Sequence, residues 1–203
     1  SLSLKGQTVE AKSESSRTTI KALDEGGSVF AKDVKLDGSI DGFKGNLTAD
    51  STGDVSIENG LTGNLDINRV KGNFVSDENA ISGDVKLGSV NNVDIKGGIA
   101  ANGEMSQGDL TIGNVFGNID IKKGVAGNVE IGSAGSVIVK DRIGGDMKVD
   151  QSYGMVDVDA VGGDMTIGAN SSIIRADKVE GTATINGDGS FGIKEAGNLK
   201  LGT

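Results

Sequence analysis

The chain has 203 residues, 34 of them Gly, with no Pro, Cys, His or Trp and a formal net charge of −9. Without Cys or His it can build neither a disulfide framework nor a thiolate metal centre nor a histidine-based catalytic site. Its acidic balance, with Arg17, Arg69, Arg142 and Arg175 as the only arginines, argues against nucleic acid and anionic membrane surfaces, and no run of eighteen apolar residues offers a membrane span.

Residues 1–26 read as an N-terminal strand, cap or donor segment. Leu2 and Leu4 alternate with serines, Val9 and Ala11 suggest a second strand, and Glu14-Ser-Ser-Arg17 reads as a loop. From residue 27 to 203 a nine-residue beat takes over. Gly27, Gly45, Gly63, Gly72, Gly108 and Gly117 fall on multiples of nine, and Gly145, Gly154, Gly163 and Gly181 repeat at nine and eighteen. The recurring phrase is Gly-(Asp/Asn)-apolar-x-apolar, as in Gly53-Asp-Val-Ser-Ile57, Gly108-Asp-Leu-Thr-Ile112 and Gly163-Asp-Met-Thr-Ile167. A fixed period means one element stacked many times.

Within each phrase the two apolar residues are two apart and so share one side of a strand, with a polar residue between them. Val129, Ile131, Met147, Val149, Met165, Ile167 and Ile185 are expected inward, and Glu130, Lys148 and Thr166 outward. The remaining residues turn a corner, where Gly reaches conformations closed to other residues and Asn or Asp can bond its own backbone. Helix has little support at this density of Gly. Large residues at Ile143, Val161 and Val179 and small ones at Ala134, Ser152, Asn170 and Asp188 each recur every eighteen residues, so two unlike units make one coil. The expected fold is therefore all-β: a single-stranded parallel β-solenoid (β-helix or β-roll) with nine-residue strand-turn units and coils of about 18 residues. Ten coils at ~4.8 Å each would span ~50 Å. The cross-section, a flattened two-sided roll or a three-sided prism, is left open.

The last residues, Asn198-Leu-Lys-Leu-Gly-Thr203, still form a strand phrase. They read either as a rod cut from a longer adhesin or as an end that another subunit completes. On the second reading residues near Ser1–Lys12 pair with a terminal coil of a neighbouring copy. The candidate subunit interface is then Leu2, Leu4, Val9, Leu199 and Leu201.

Ser82-Gly-Asp-Val-Lys-Leu87, with apolar-x before the Gly in Val70-Lys-Gly-Asn-Phe74 and Val179-Glu-Gly-Thr-Ala183, resembles the serial phrases of bacterial adhesin β-solenoid families over about residues 27–203. Bactofilins are similar in the apolar-x-Gly-Asp phrase and in coil length, and filamentous-haemagglutinin-like exoproteins have similar repeats. The resemblance implies a structural or adhesive role and brings no catalytic, metal or cofactor residues.

Enzymatic readings fare poorly on the residues themselves. The calcium β-roll phrase needs a second Gly and a ligand Asp where Gly144-Gly-Asp-Met-Lys-Val149 has Met147 and Val149. Gly187-Asp-Gly-Ser-Phe-Gly192 matches a dinucleotide fingerprint only in spacing, since no helix follows it. A sugar-cleaving site wants two carboxylates beside a cleft, whereas the carboxylates here recur with the repeat and aromatic stacking surface is scarce. The expectation is a non-catalytic structural protein of the bacterial cell surface or extracellular matrix that assembles end to end with itself, without cofactor or metal. The alternatives are an adhesin stalk, a cytoplasmic bactofilin-like scaffold and, from another class, a carbohydrate-active β-helix enzyme. Glycans or a host receptor stay open as further partners.

Overall fold

A computed structural model describes residues 46–103, 106–170 and 173–202, with the main chain alone at Asp50, Ala169 and Asn170. Before residue 46 it describes the main chain of the strands Leu2–Lys5, Val9–Glu14, Arg17–Ala22, Ser28–Ala31 and Leu36–Lys44. The described residues are all β, with no helix and hence none long and apolar enough to cross a membrane.

Apolar residues two apart pair rung upon rung, which is the geometry of a parallel solenoid. On the first side Leu47, Leu65, Val85, Leu110, Val129, Met147, Met165, Ala183 and Leu199 lie in register. On the second, Val55, Phe74, Val93, Ile119, Val137, Val156, Ile174 and Phe191 do the same. A narrow third rung of one or two residues closes the coil through Leu61, Ile81, Ile99, Val125, Ile143, Val161 and Val179. The cross-section therefore has two broad sides and one short one, the option that periodicity left open. The nine rungs from Leu47 to Leu199 span eight rises, roughly 40 Å at the usual strand spacing.

Inward residues form one continuous core. Val129, Ile131, Met147, Val149, Met165, Ile167 and Ile185 are all buried, while Glu130 and Lys148 are exposed and Thr166 is half-buried. The large and small corner residues stack as separate columns: Ile143, Val161 and Val179 on one corner, Ala134 and Ser152 on the other, with the main chain of Asn170 in register above them. Buried Ser152 keeps its hydroxyl satisfied at 3.2 Å from the carbonyls of Gly135 and Gly154.

The spacing is less uniform than the beat suggests. Val129, Met147, Met165 and Ala183 follow at eighteen, but Leu65 pairs with Val85 and Val85 with Leu110. The extra residues of the longest coil lie between Ile99–Ala100 and Leu110. The Gly187-to-Gly192 match is a turn that leads into the strand Ser190–Leu201, with Gly187 at φ +98°.

At the N-terminal end, Leu2–Lys5 pairs antiparallel with Ser28–Ala31, which itself pairs parallel with Asn46–Thr62. Val9–Glu14 pairs antiparallel with Arg17–Ala22, which joins the second side through Leu36–Lys44. Each broad side therefore begins with an antiparallel strand.

Candidate functional site

The corner before the first side shows what the Gly-Asx phrase is for. Asn64 N–H donates to Asn46 Oδ1 (2.9 Å), Asp84 N–H to Asn64 Oδ1 (3.0 Å) and Asp109 N–H to Asp84 Oδ1 (2.9 Å). The ladder continues as Asn128 to Asp109 (2.7 Å), Asp146 to Asn128 (2.8 Å), Asp164 to Asp146 (2.8 Å) and Thr182 to Asp164 (2.7 Å). These Asn and Asp side chains thus accept from the next coil, not from their own backbone as local turn chemistry would have it. Local bonding is the usual use of Asx in a turn, but here the stacked coil brings a free N–H within reach of every carboxylate or amide. A second ladder runs along the opposite corner through Asp54, Asn92, Asn118 and Ser136, whose oxygens accept from the N–H groups of Asn73, Asn118, Ser136 and Met155. The same contact explains the glycine. A Cβ on Gly163 would overlap Asp146 Oδ1, and one on Gly145 would overlap Asn128 Oδ1.

One loop interrupts this regularity. Asp77 accepts from the Asn59 N–H (2.7 Å), the Asn79 N–H (3.0 Å) and Asn79 Nδ2 (3.0 Å). Burial alone would raise its pKa, but the backbone N–H groups of Asn59 and Asn79 outweigh that and hold it below the usual carboxylate value. A depressed folded pKa contributes stability above the unfolded pKa, and that contribution is lost as pH falls through the folded value. Asp77→Asn is therefore expected to lower the Tm at pH 7 and to converge with the parent in acid. A gap that stayed constant from neutral to acid pH would show that the charge of Asp77 is immaterial.

Charged side chains cluster on the second side toward the C-terminal end. Lys140 meets Asp157 (3.1 Å) and Asp159 (3.5 Å), and Lys194 meets Asp177 (2.6 Å). Arg142 reaches across two coils to Glu180 with both guanidinium nitrogens (3.0 and 3.2 Å), passing so close to Gly162 that a Cβ there would meet Nη2 at 2.6 Å. The hydrogen bond and charge of Asp157 raise the Lys140 pKa, and those of Lys194 lower that of Asp177. A shallow hollow of about 510 Å³ opens here, lined by Lys140, Arg175 and Lys194 against Asp157, Asp159 and Asp177. Three cations face three carboxylates, so the hollow is balanced in charge.

The expected interface residues lie at the two ends of the rod. Leu2 and Leu4 fall in the strand that pairs antiparallel with Ser28–Ala31 of the same chain, as Leu2 with Ala31 and Leu4 with Val29. Val9 pairs with Ala22 at the start of the second side. Their side chains lie outside the described residues. Leu199 and Leu201 pair with Ala183 and Ile185, so they end the same ladder that the strand of Leu2 and Leu4 begins. The inner rung is buried, at 0% for Ala183 and 3% for Ile185, whereas Leu199 is 48% and Leu201 61% exposed. Two exposed aromatics, Phe116 and Tyr153, stood outside the sequence expectation, because nothing in a period of nine marks which corner carries an added residue.

Fold and ladders together define a parallel β-solenoid rod whose polar corner groups hold coil to coil. Compared with family models, curated proteins and solved structures, the chain matches none.

Proposed function

We propose that this protein is a non-catalytic structural rod that stacks end to end with copies of itself into filaments, at the bacterial cell surface or in the extracellular matrix. One observation carries the reading: Leu199 and Leu201 expose the side of the core stack that each interior coil covers with its neighbour. Ser190–Leu201 also presents backbone donors and acceptors along its outer edge, the usual template for strand addition. An antiparallel strand begins the same ladder at the other end, so a neighbouring copy meets the edge of Leu2–Lys5. Contact between unlike ends is heterologous and propagates as an open filament. The net charge of −9 keeps the sides of neighbouring rods apart.

Light scattering and negative-stain microscopy of the purified protein at rising concentration test the reading. Filaments one rod wide are expected for the parent. The double variant Leu199→Asp, Leu201→Asp is expected to give folded, monomeric rods, because both side chains lie on the exposed face. A parent that stayed monomeric at high concentration, or a double variant that still formed filaments, would overturn it.

A further inference from the structure

The corner that follows the first side carries an extra residue in some coils. Leu110 to Ile119 and Met147 to Val156 are each one residue longer than the intervening Val129 to Val137. The added residues are Phe116 and Tyr153, whose N–H groups donate in the same way, to Val90 O and Ala134 O, both at 3.0 Å. Their side chains turn outward and are 77% and 65% exposed, the most exposed large apolar groups among the described residues. The whole chain has only 5 Phe and 1 Tyr, so a third of its aromatic rings stand on one edge of the rod. Two coil rises, ~10 Å, separate them. The coil between them contributes Gly135, so two rings flank a floor without a side chain.

The chemistry beside the rings is equally distinct. Asn114, Ser133 and Gln151 run in register along the strand ends next to them. The corner segments 88–92, 113–118 and 132–136 contain no charged residue, and the segment in register with them, 150–155, carries only Asp150, which Lys148 meets at 3.4 Å, in a chain whose other faces carry Asp66, Lys86, Glu130, Asp94 and Asp157. An edge of amides and hydroxyls with a single, paired carboxylate and two rings suits a ligand that has flat C–H faces to lay on the rings and hydroxyls for the amides. A sugar polymer has both. The net charge of −9 repels a polyanion, which leaves an uncharged polysaccharide as the matching partner.

We infer that the Phe116–Tyr153 edge is a binding surface for a neutral, extended polysaccharide, with one ring seated on each aromatic and the chain crossing the Gly135 coil between them. This surface lies along the flank of the rod and does not depend on end-to-end stacking.

The protein supplies its own probe, since Tyr153 is the sole Tyr and there is no Trp. Titration with hydroxyethyl cellulose, laminarin and galactomannan, followed by tyrosine emission and by retardation in gels containing each polymer, tests the inference. At least one neutral polymer is expected to change the emission and retard the protein, and polygalacturonate to do neither. Phe116→Ala and Tyr153→Ala should each weaken retention about tenfold, the loss of one stacking contact, while Lys122→Ala, exposed at the end of the second side, should change nothing. Absence of retardation with all three neutral polymers, equal retention by polygalacturonate, or unchanged retention in both aromatic variants would overturn the inference. So would loss of self-association in the aromatic variants with glycan retention intact, which would make the edge a protein contact.

Discussion

Val149→Asp is expected to cost about 4 kcal/mol or more, while Lys148→Asp one residue away leaves the protein nearly as stable as before. Val149 is fully buried, paired with Ile131 below and Ile167 above, so an Asp there has apolar neighbours and no partner for its charge. Lys148 points to solvent, and its contact with Asp150 at 3.4 Å is an exposed pair of small worth. The buried carboxyl of the variant would have a raised folded pKa, so its penalty is greatest at neutral pH and eases as pH falls. Thermal or urea unfolding at pH 7 separates the two cases. Equal shifts in both variants would mean that inward and outward positions have been exchanged.

Gly163→Ala is the second large effect, about 2 kcal/mol of destabilisation through an overpacked contact. Its added methyl group meets Asp146 Oδ1 of the coil below, which is already fixed by the N–H of Asp164. Asp146→Gly removes the obstructing oxygen and also deprives the Asp164 N–H of its acceptor, so alone it costs about 1 kcal/mol. In the double variant the clash is gone, and the two losses should sum to less than their parts by a coupling of about 1 kcal/mol. Strict additivity in unfolding measurements would show that the glycine is kept for a reason other than the neighbouring Asx.

These substitutions also mark how far the fold could be read from the chain. Alternation two residues apart sorts Val129, Ile131, Met147 and Val149 inward because a strand has period two, a local property. The pairing of Asx with Gly was visible as a phrase, yet its cause joins residues eighteen or more apart and cannot be inferred from a single turn. The beat also concealed an irregularity. The coil from Leu65 to Val85 exceeds eighteen by two and the next, to Leu110, exceeds it by seven. Together these equal one nine-residue unit, so Gly108 returns to phase and the insertion before it leaves no trace in the glycine spacing. At the ends, Leu199 and Leu201 were legible as a strand phrase, and the strand of Leu2 and Leu4 was legible as alternation. The antiparallel partnership with Ser28–Ala31 was not, since alternation carries no information about direction or partner.

The corner ladder has a polarity. At every described step the acceptor oxygen belongs to the earlier coil and the donating N–H to the later one, from Asn46 and Asn64 through to Asp164 and Thr182. Each coil therefore donates to the coil before it and holds out an acceptor to the coil after it. A polypeptide delivered N-terminus first, whether from a ribosome or through a narrow translocation pore, lays each new turn on a row of oxygens already in place. Delivered in the opposite order, each turn would instead bring its oxygens to a row of N–H groups already in place. The direction of emergence thus coincides with the direction in which each turn acts as template for the next, and winding can keep pace with delivery without waiting for the distant end of the chain.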